Sequence, residues 1–370
     1  MKKIICHISS AHDRYDTRIF LKQAISLSRA GFNTNYIVID GNDDESLKGV
    51  NIINANKKKR TLNRIEKIIM GPFLIYKKIK ILNPEVVHFH DPELILFGIY
   101  LKLRKIKVIY DIHETTWAHL LQNNNIPKGL RWILSMFFKY FEKYLSRFFN
   151  ALIFATKGIQ DNFSKNSKCS EVINNYPLIG DLDNIGKNDK VYNEIIYLGG
   201  INSARGIESL IKSLELTNTK LNLIGDFTEK GLKEKLSKLK GWNQVIYHGF
   251  CSREKTSKII SRCFAGLVTY YDAPNYIKAQ PNKLFEYMVC GLPVVSSNFE
   301  LWKLIIEGNK CGVCVNPKNP KEIANTIEYL KKNKRKAKLM GNKGREAVIN
   351  KYNWTLEEKK LLNLYKKILS

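Results

Sequence analysis

The sequence lacks any long apolar run. None of its stretches approaches the roughly 20 uncharged apolar residues that a membrane-spanning helix needs. The first residues, MKKIICHISS, contain a short apolar run with a histidine, and Asp13, Arg14 and Asp16 soon follow. We therefore interpret this segment as a first β-strand and not as a signal peptide. These absences predict a cytoplasmic protein that is at most peripherally bound to the inner face of the cell membrane.

Paired cysteines and metal-ligand spacings are also missing. The seven cysteines are an odd number without regular spacing, which favours reduced thiols. Cys311 and Cys314 have CxxC spacing, but because no second pair accompanies them we expect them to pack in an apolar strand. His88 and His90 alternate along one strand-like run, and no cysteine or carboxylate spacing beside them indicates a metal site.

Acidic residues are scarce relative to basic ones. The chain has 61 Lys and Arg against 34 Asp and Glu, which gives a formal net charge of +27. Such a charge predicts attraction to nucleic acid, to an anionic membrane surface or to phosphorylated small molecules. The alternative is a lysine-rich composition spread over solvated faces.

Two stretches of the first half combine basic with apolar or aromatic residues. KKKR at 57–60 opens the first, which continues to residue 80, and the second covers 126–150, where Lys139 and Lys143 alternate with aromatic residues at helical spacing. Basic amphipathic helices of this kind lie on anionic bilayers. For 126–150 the alternative is a helix whose wide apolar stripe faces the protein core.

Strand-like and helical segments alternate along the chain, which predicts βαβ units and parallel sheets. A polar stretch at 174–194 interrupts the alternation and is interpreted as a linker. We therefore expect two doubly wound, Rossmann-like α/β domains facing a cleft, with ligands at the carboxyl ends of the strands. The expected ranges are 1–180 for the first domain, 181–350 for the second, and 351–370 for a helix that packs back on the first.

The segment PNKLFEYMVCGLPVV, which starts at Pro281, has the pattern of an anion site followed by an apolar strand. If a helix begins there, the N–H groups of Asn282, Lys283 and Leu284 are free to bind a phosphate. Glu286 lies about one turn further on, where a carboxylate could accept hydrogen bonds from two ribose hydroxyls. A capped surface helix with Glu286 in solvent would give a similar pattern.

These motifs resemble glycosyltransferase family 4, the retaining enzymes of the two-domain GT-B fold. The resemblance covers nearly the whole chain and includes VVHFHD, VIYDIHE, IYLGGINSARGIESLI, PNKLFEYMVCGLPVV and the closing KYNW. The closing segments are similar to members that act in bacterial surface polysaccharide assembly. The resemblance implies that the second domain holds a UDP-sugar or GDP-sugar, that the first presents the acceptor, and that neither a metal nor a cofactor is needed.

The resemblance also assigns roles to single residues. Glu286 matches the glutamate that binds the donor ribose, and His113 matches the first-domain histidine beside the transferred sugar. Arg205 matches the cation that clamps the departing diphosphate, so that His113 and Arg205 are the expected catalytic residues. The expected donor-binding residues are Gly199, Gly200, Arg205, Asn282, Lys283, Leu284 and Glu286.

The chain departs from the family pattern at three places. Lys278 stands where the family has a first glutamate, and Gly200 stands where it commonly has a second cation, which Lys283 could replace. The glycine-rich turn after the first strand is replaced by SSAHDRYDTR. There Asp16 and Arg18, together with His90, are candidates for the acceptor side. The alternative is that Asp16 and Arg18 cap and salt-bridge the first helix, and that His90 is a satisfied core imidazole.

The sequence therefore predicts a glycosyltransferase that moves a sugar from a nucleotide-diphosphate donor to a lipid-linked or saccharide acceptor. One alternative is a sugar-nucleotide 2-epimerase of the same architecture, which would need carboxylates in the cleft for base chemistry. A basic nucleic-acid-binding protein is a second alternative. Since no zinc spacing, helix-turn-helix or RNA-binding aromatic signature stands out, we expect no nucleic acid partner.

Overall fold

The computed structural model describes residues 2–56, 62–122, 126–163, 169–179 and 192–370, with the side chains of His119 and Gln122 left out. The basic cluster at 57–60 and most of the predicted linker lie outside the described residues. Internal contacts divide the chain into two compact units. Unit 1 comprises Met1–Asn175 and Trp354–Ser370, and unit 2 comprises Tyr176–Asn353.

Unit 1 contains a sheet of eight strands within the described residues, in the order β3-β4-β2-β1-β5-β6-β7-β8. All neighbouring pairs are parallel except β3 with β4. Central strands such as β1, β5 and β7 are almost continuously buried apolar runs, as expected where helices cover both faces of a parallel sheet. The strands are β1 Ile4–Ile8, β2 Asn33–Val38, β3 Glu45–Leu47, β4 Val50–Asn54, β5 Val86–Phe89, β6 Lys107–Ile112, β7 Ala151–Phe154 and β8 Ser170–Val172.

Unit 1 includes the C-terminal helix of the chain, which follows unit 2 in the sequence. In this C-terminal helix (Trp354–Leu369), Trp354 donates from its indole N–H to Ser26 Oγ at 2.9 Å. Leu361 and Leu364 of the same helix are buried. The other helices are the π-helix Ile19–Ala24, α1 Ile25–Arg29, α2 Arg64–Leu82, α3 Ile95–Leu103, α4 Thr116–Gln122, α5 Lys128–Leu145 and α6 Lys157–Gln160, with 3-10 turns at Pro92–Leu94 and Ser146–Phe148.

Unit 2 contains a six-stranded sheet of order β11-β10-β9-β12-β13-β14 within the described residues, and every neighbouring pair is parallel. The strands are β9 Glu194–Leu198, β10 Lys220–Ile224, β11 Val245–Gly249, β12 Ala265–Val268, β13 Val294–Ser297 and β14 Gly312–Val315. The helices are α7 Ile207–Leu214, α8 Leu232–Ser237, α9 Arg253–Arg262, α10 Pro274–Ile277, α11 Asn282–Val289, α12 Glu300–Ile306, α13 Pro320–Lys332 and α14 Lys334–Asn350, with 3-10 turns at Ser203–Arg205 and Lys240–Gln244. The predicted fold class of two parallel-sheet α/β domains is confirmed.

The apolar stripe of α5 faces outward. The buried residues of this helix are Ser135 and Glu142, whereas Trp132, Phe137 and Tyr140 are 61%, 64% and 60% exposed. The alternative of a core-facing stripe holds only in part for this helix, since Phe141 and Leu145 are half-buried and pack against the core of unit 1. No helix in the described part of the chain is long and apolar enough to cross a membrane.

The CxxC pair packs as expected. Cys311 is buried and Cys314 is half-buried in β14. Burial raises the pKa of the Cys311 thiol to about 12 and that of Cys314 to about 11. Both thiols are therefore protonated near neutral pH, which suits packing and not metal ligation.

Candidate functional site

Two glycines follow β9, and their lack of a side chain lets two cationic side chains lie close to the backbone there. Gly199 has a φ of +98°, and an added Cβ there would lie 3.2 Å from Lys283 Nζ. At Gly200 an added Cβ would lie 3.1 Å from Arg205 Nη1. The positive φ and the close approach both favour glycine. The structure thus brings together Gly199, Gly200, Arg205 and Lys283 at the carboxyl end of a strand.

The Lys283 ammonium is buried, and its Nζ has no hydrogen-bond partner among the described residues. It lies 4.0 Å from the centroid of the Tyr197 ring and 5.2 Å from that of Tyr270. Burial first, and then the positive charge of Arg205, lower the pKa of Lys283 well below its ordinary value, while Glu286 opposes the shift. A buried cation without a partner is costly, so this environment favours the binding of an anion.

Arg205 stands beside this lysine. Its Nη1 donates to the Gly200 carbonyl at 2.8 Å, and its guanidinium lies 5.4 Å from the centroid of the Tyr270 ring. Its Nε is buried without a partner in the described part of the chain. The carbonyl contact fixes the direction of the side chain and leaves further donors of the guanidinium for a ligand.

Helix α11 begins at Asn282 and presents its first turn to the same place. Pro281 is the N-cap residue and makes no side-chain capping bond. The Leu284 N–H donates to the Pro281 carbonyl at 3.0 Å. The prediction that the Leu284 N–H is free is therefore wrong, because the first turn closes on the proline carbonyl. The N–H groups of Asn282 and Lys283 are at the positions that have no intrahelical acceptor in such a helix.

Glu286 lies one turn along α11 and is half-buried. Its charge acts on Lys283 and on the neighbouring Tyr270, which does not fit the alternative of a carboxylate in open solvent. Lys278, in contrast, is exposed at the end of α10. Tyr197 and Tyr270 also line the site. No sequence motif predicts them, since their proximity depends on which strands are neighbours.

A second polar group lies in unit 1, at the carboxyl ends of β1, β5 and β6. His7 pairs with His88 in the sheet register, and Phe89 pairs with Tyr110. Because neighbours in register point to the same face of a sheet, four histidines and one carboxylate gather there. They are His7, His88, His90, Asp111 and His113.

Asp111 is the centre of this histidine cluster. Arg18 donates to its two oxygens from Nε at 2.9 Å and from Nη2 at 2.7 Å, and Gln23 donates at 2.7 Å. His113 Nε2 lies 2.9 Å from Asp111 Oδ2. Although burial raises the pKa of the Asp111 carboxyl, the charge of Arg18 and the contacts with His113 and His90 hold it well below its usual range. Asp111 is therefore an ionised carboxylate.

The acceptor-side candidates of the SSAHDRYDTR segment have structural roles. Asp16 Oδ1 accepts from the N–H groups of Arg18 and Ile19 at 2.8 Å, at the start of the π-helix. The Arg18 side chain points inward to Asp111, and it also donates to the Ile173 carbonyl at 2.8 Å. The structure gives Asp16 and Arg18 the capping and salt-bridging roles of the alternative interpretation.

His90 and His113 lie side by side. His90 Nδ1 is 3.1 Å from His113 Nε2, and His90 Nε2 is 3.0 Å from His7 Nδ1. His90 is buried, so the structure favours the interpretation of a core imidazole, whereas the side chain of His113 is 13% exposed. The carboxylate that contacts His113 in this cluster is Asp111.

An ion pair beside His113 is not evident from the sequence. His12 Nδ1 lies 2.8 Å from Asp91 Oδ1, and the rings of His12 and His113 are 5.3 Å apart. Burial lowers the pKa of His12, but the hydrogen bond and the charge of Asp91 have the larger, opposite effect. The net result is a pKa raised to about 9. His12 is therefore a cation at neutral pH, next to the exposed edge of the cluster.

The cluster contains atoms of the type that bind transition metals. His7, His88 and His90 form one group, and His90, Asp111 and His113 form another, with each group's ligand atoms within 4.8 Å of one another. Sequence spacing predicted no such grouping. The Arg18 guanidinium already neutralises the carboxylate, so a metal ion would bury additional positive charge. The absence of a bound metal stays a prediction.

Comparisons with known proteins agree with this architecture. Residues 18–175 match the family described as Glycosyltransferase Family 4, and residues 181–347 match Glycosyl transferases group 1. The chain belongs to the family 4 type of GT-B glycosyltransferases. A curated relative, the uncharacterized glycosyltransferase MJ1607 of Methanocaldococcus jannaschii, is 28% identical over 177 residues. That match covers 46% of this chain and 44% of the relative.

Solved structures of glycosyltransferases share the fold of this family 4 protein. Sucrose-phosphate synthase from Thermosynechococcus elongatus has a TM-score of 0.80 at 16% identity, covering 100% of this chain and 99% of that one. Anabaena Alr3699/HepE in complex with UDP-glucose has a TM-score of 0.72 at 13% identity, covering 98% and 99%. At these identities the likeness confirms the GT-B fold of this glycosyltransferase.

Proposed function

We propose that this glycosyltransferase moves a sugar, with retention of configuration, from a UDP-sugar or GDP-sugar to a lipid-linked or saccharide acceptor. The observation that carries the proposal is the buried Lys283 ammonium, which has no hydrogen-bond partner in the described residues and lies beside Arg205 and the first turn of α11. A diphosphate supplies the negatively charged hydrogen-bond acceptor that the Lys283 ammonium lacks. The similar fold of HepE, solved with UDP-glucose, supports a nucleotide-sugar donor.

Each residue of the donor site has a distinct task. Lys283, Arg205 and the N–H groups at the start of α11 hold the diphosphate. As the glycosidic bond breaks, the diphosphate gains negative charge, and cations already fixed around it lower the barrier. Glu286 accepts hydrogen bonds from the donor ribose. The reaction needs neither a metal nor a cofactor, because fixed cations do the work of a Lewis acid.

Unit 1 binds the acceptor in this proposal. His113 is the partly exposed member of the histidine cluster and contacts the reacting sugars, while the proximity of the acceptor oxygen replaces a strong base. The resemblance to members of surface polysaccharide assembly supports a reaction in the cytoplasm, at the inner face of the cell membrane.

The outward face of α5 fits an anionic lipid surface. Trp132, Phe137, Tyr140 and Tyr144 are exposed there. Lys139 lies between Phe137 and Tyr140 along the helix, and Lys143 lies between Tyr140 and Tyr144. Exposed residues of α2 extend the apolar character of unit 1, and they include Ile65, Ile68, Ile69, Met70 and Phe73. Aromatic side chains that enter the headgroup region beside basic ones are typical of peripheral membrane binding.

The decisive test is calorimetric and thermal-shift measurement of nucleotide binding. We expect one nucleotide class, tested as UDP, GDP and their sugars, to stabilise the protein by about 2.7 kcal/mol at 100 times its dissociation constant. Arg205→Ala and Glu286→Ala each lower activity by about 2–4 kcal/mol in transition-state terms. Lys303→Ala, at an exposed lysine of α12, is the matched control. No stabilisation by any member of the panel would refute the donor site.

A further inference from the structure

The position of one proton on His113 follows from the geometry of the histidine cluster. Asp111 is ionised and can only accept hydrogen bonds. At 2.9 Å from Asp111 Oδ2, the Nε2 atom of His113 must carry the hydrogen, because two lone pairs at this distance would repel each other.

His90 competes for the same nitrogen but does not change this assignment. Its Nδ1 lies 3.1 Å from His113 Nε2 and 3.4 Å from Asp111 Oδ2. If His90 donated to an unprotonated Nε2, the bare lone pair of His113 would still face the carboxylate. A hydrogen on His113 Nε2 satisfies the carboxylate, and in the neutral form of the imidazole Nδ1 is then the acceptor.

The carboxylate is itself held in place. Arg18 binds both oxygens and Gln23 binds one, and Asp111, Arg18 and Gln23 are all buried. The side chain of His113 is 13% exposed, so it carries the effect of this buried network to the surface. Of the residues that contact Asp111, His113 is the partly exposed one. We therefore expect a substitution of Asp111 to affect the substrate through His113.

We propose that Asp111 is a positioning residue that fixes His113 as the Nε2–H tautomer and leaves Nδ1 to accept a hydrogen bond from a substrate hydroxyl. This inference rests on the proposed function for the identity of the substrate. The tautomer itself is a property of the free protein. A histidine of the wrong tautomer would present a donor to a hydroxyl that must be oriented as a donor.

Nitrogen NMR on protein labelled with ¹⁵N-histidine tests the tautomer directly, with His113→Gln used to assign the signal. In the wild-type protein at neutral pH, we expect Nε2 to be protonated and Nδ1 to be unprotonated. Asp111→Asn can donate an amide hydrogen to Nε2, so it should invert this pattern. Gln23→Met is the matched control, because it removes another donor to the same carboxylate oxygen and should leave the pattern unchanged.

Kinetics of the same variants test the role in transfer. We expect Asp111→Asn to lower kcat by about 100-fold, with the KM for the donor changed by less than about threefold, whereas Gln23→Met keeps kcat within about tenfold of wild type. A protonated Nδ1 in wild-type His113, or equal kcat values for the two variants, would overturn the inference. If Asp111→Asn does not fold, the wild-type spectrum still decides the tautomer.

Failure of the proposed function gives a different result. In that case the nucleotide titrations are silent while the NMR pattern stays as expected. If the inference alone fails, nucleotide binding is intact in every variant and the His113 tautomer is insensitive to residue 111.

Discussion

Lys283 shows how one buried charge can report on its ligand. In the free protein, burial and the charge of Arg205 lower the pKa of this lysine well below its ordinary value, and a bound diphosphate would raise it again. Between the two pKa values the complex holds more protons than the free protein. Nucleotide binding should therefore take up a proton in this window, and affinity should fall as the pH rises through it.

Calorimetry of UDP or GDP binding between about pH 7 and pH 9 checks this proton uptake. Titrations in HEPES and in Tris should give different apparent enthalpies, because the two buffers release a proton at different enthalpic cost and neither is a phosphate that could compete for the site. Lys283→Met should remove the difference and weaken binding by at least about tenfold. Equal enthalpies in both buffers for the wild-type protein would show that Lys283 is already charged.

Single residues differ in how far the sequence alone could identify them. Lys283, Glu286 and Arg205 stand in local motifs whose spacing carries their meaning. The pair His12 and Asp91 could not be identified in this way, because it joins loops that follow two strands far apart in the sequence. Such pairs require the strand order of the sheet, in which β1 lies next to β5.

Helix α5 contains a carboxyl group on its buried side. Glu142 accepts a hydrogen bond from the Tyr110 hydroxyl at 2.6 Å. Burial raises the pKa of Glu142 from 4.5 to about 7, although the hydrogen bond from Tyr110 opposes the shift. The folded protein therefore holds this proton between about pH 4.5 and pH 7, where the unfolded chain releases it.

The sign of this effect is a loss of stability with rising pH. The contribution of Glu142 to the free energy of unfolding is largest below pH 4.5 and is lost as the pH rises through about 7. Glu142→Gln keeps the neutral shape at every pH. We expect the variant to gain stability over wild type on going from pH 5 to pH 8.5, by on the order of 3 kcal/mol.

Urea denaturation of both proteins at the two pH values measures this difference. All other titrating groups are common to the two proteins, so their contributions cancel in the comparison. Glu234→Gln, at an exposed position of α8, is a control that should give no pH-dependent difference. A constant difference between Glu142→Gln and wild type would show that Glu142 is ionised in the folded state at both pH values.

At the scale of elements, helical periodicity indicates a helix but not which face is buried. Residues 126–150 carry apolar side chains over so wide an arc that a core-facing stripe was an open alternative. In α5 the core takes the side that includes Ser135, Glu142 and the half-buried Phe141, whereas Trp132, Phe137 and Tyr140 stay exposed. Similarly, the helix expected after the first strand is present, but Ile19–Ala24 is a π-helix. Arg18, the N-cap residue of this π-helix, reaches the buried Asp111.

At the scale of the whole molecule, strand and helix alternation was enough to predict two parallel-sheet α/β domains. Buried parallel strands are continuous apolar runs, and such runs are visible in the sequence. The exact residues at which one compact unit ends and the next begins could not be read in this way. The chain leaves unit 1 after Asn175 and returns to it at Trp354, and side-chain contacts such as Trp354 with Ser26 determine that return.

The net charge of +27 and the exposed aromatic face of α5 lead to a prediction for the whole protein. We expect it to bind vesicles containing phosphatidylglycerol but not vesicles of phosphatidylcholine alone, and to be released by salt, since charges near the surface are screened beyond about 10 Å at 0.1 M ionic strength.

Replacing Trp132 and Phe137 together by alanine should weaken binding by at least about tenfold, because each buried aromatic contributes about 1.5–3 kcal/mol. Phe250→Ala, at a residue of unit 2 that is 82% exposed, keeps the net charge and removes an aromatic elsewhere, so it should bind like wild type. Sedimentation with vesicles at low and high salt measures all three proteins. If the double variant and Phe250→Ala bind alike, charge alone attracts the protein to the membrane and the α5 face has another role.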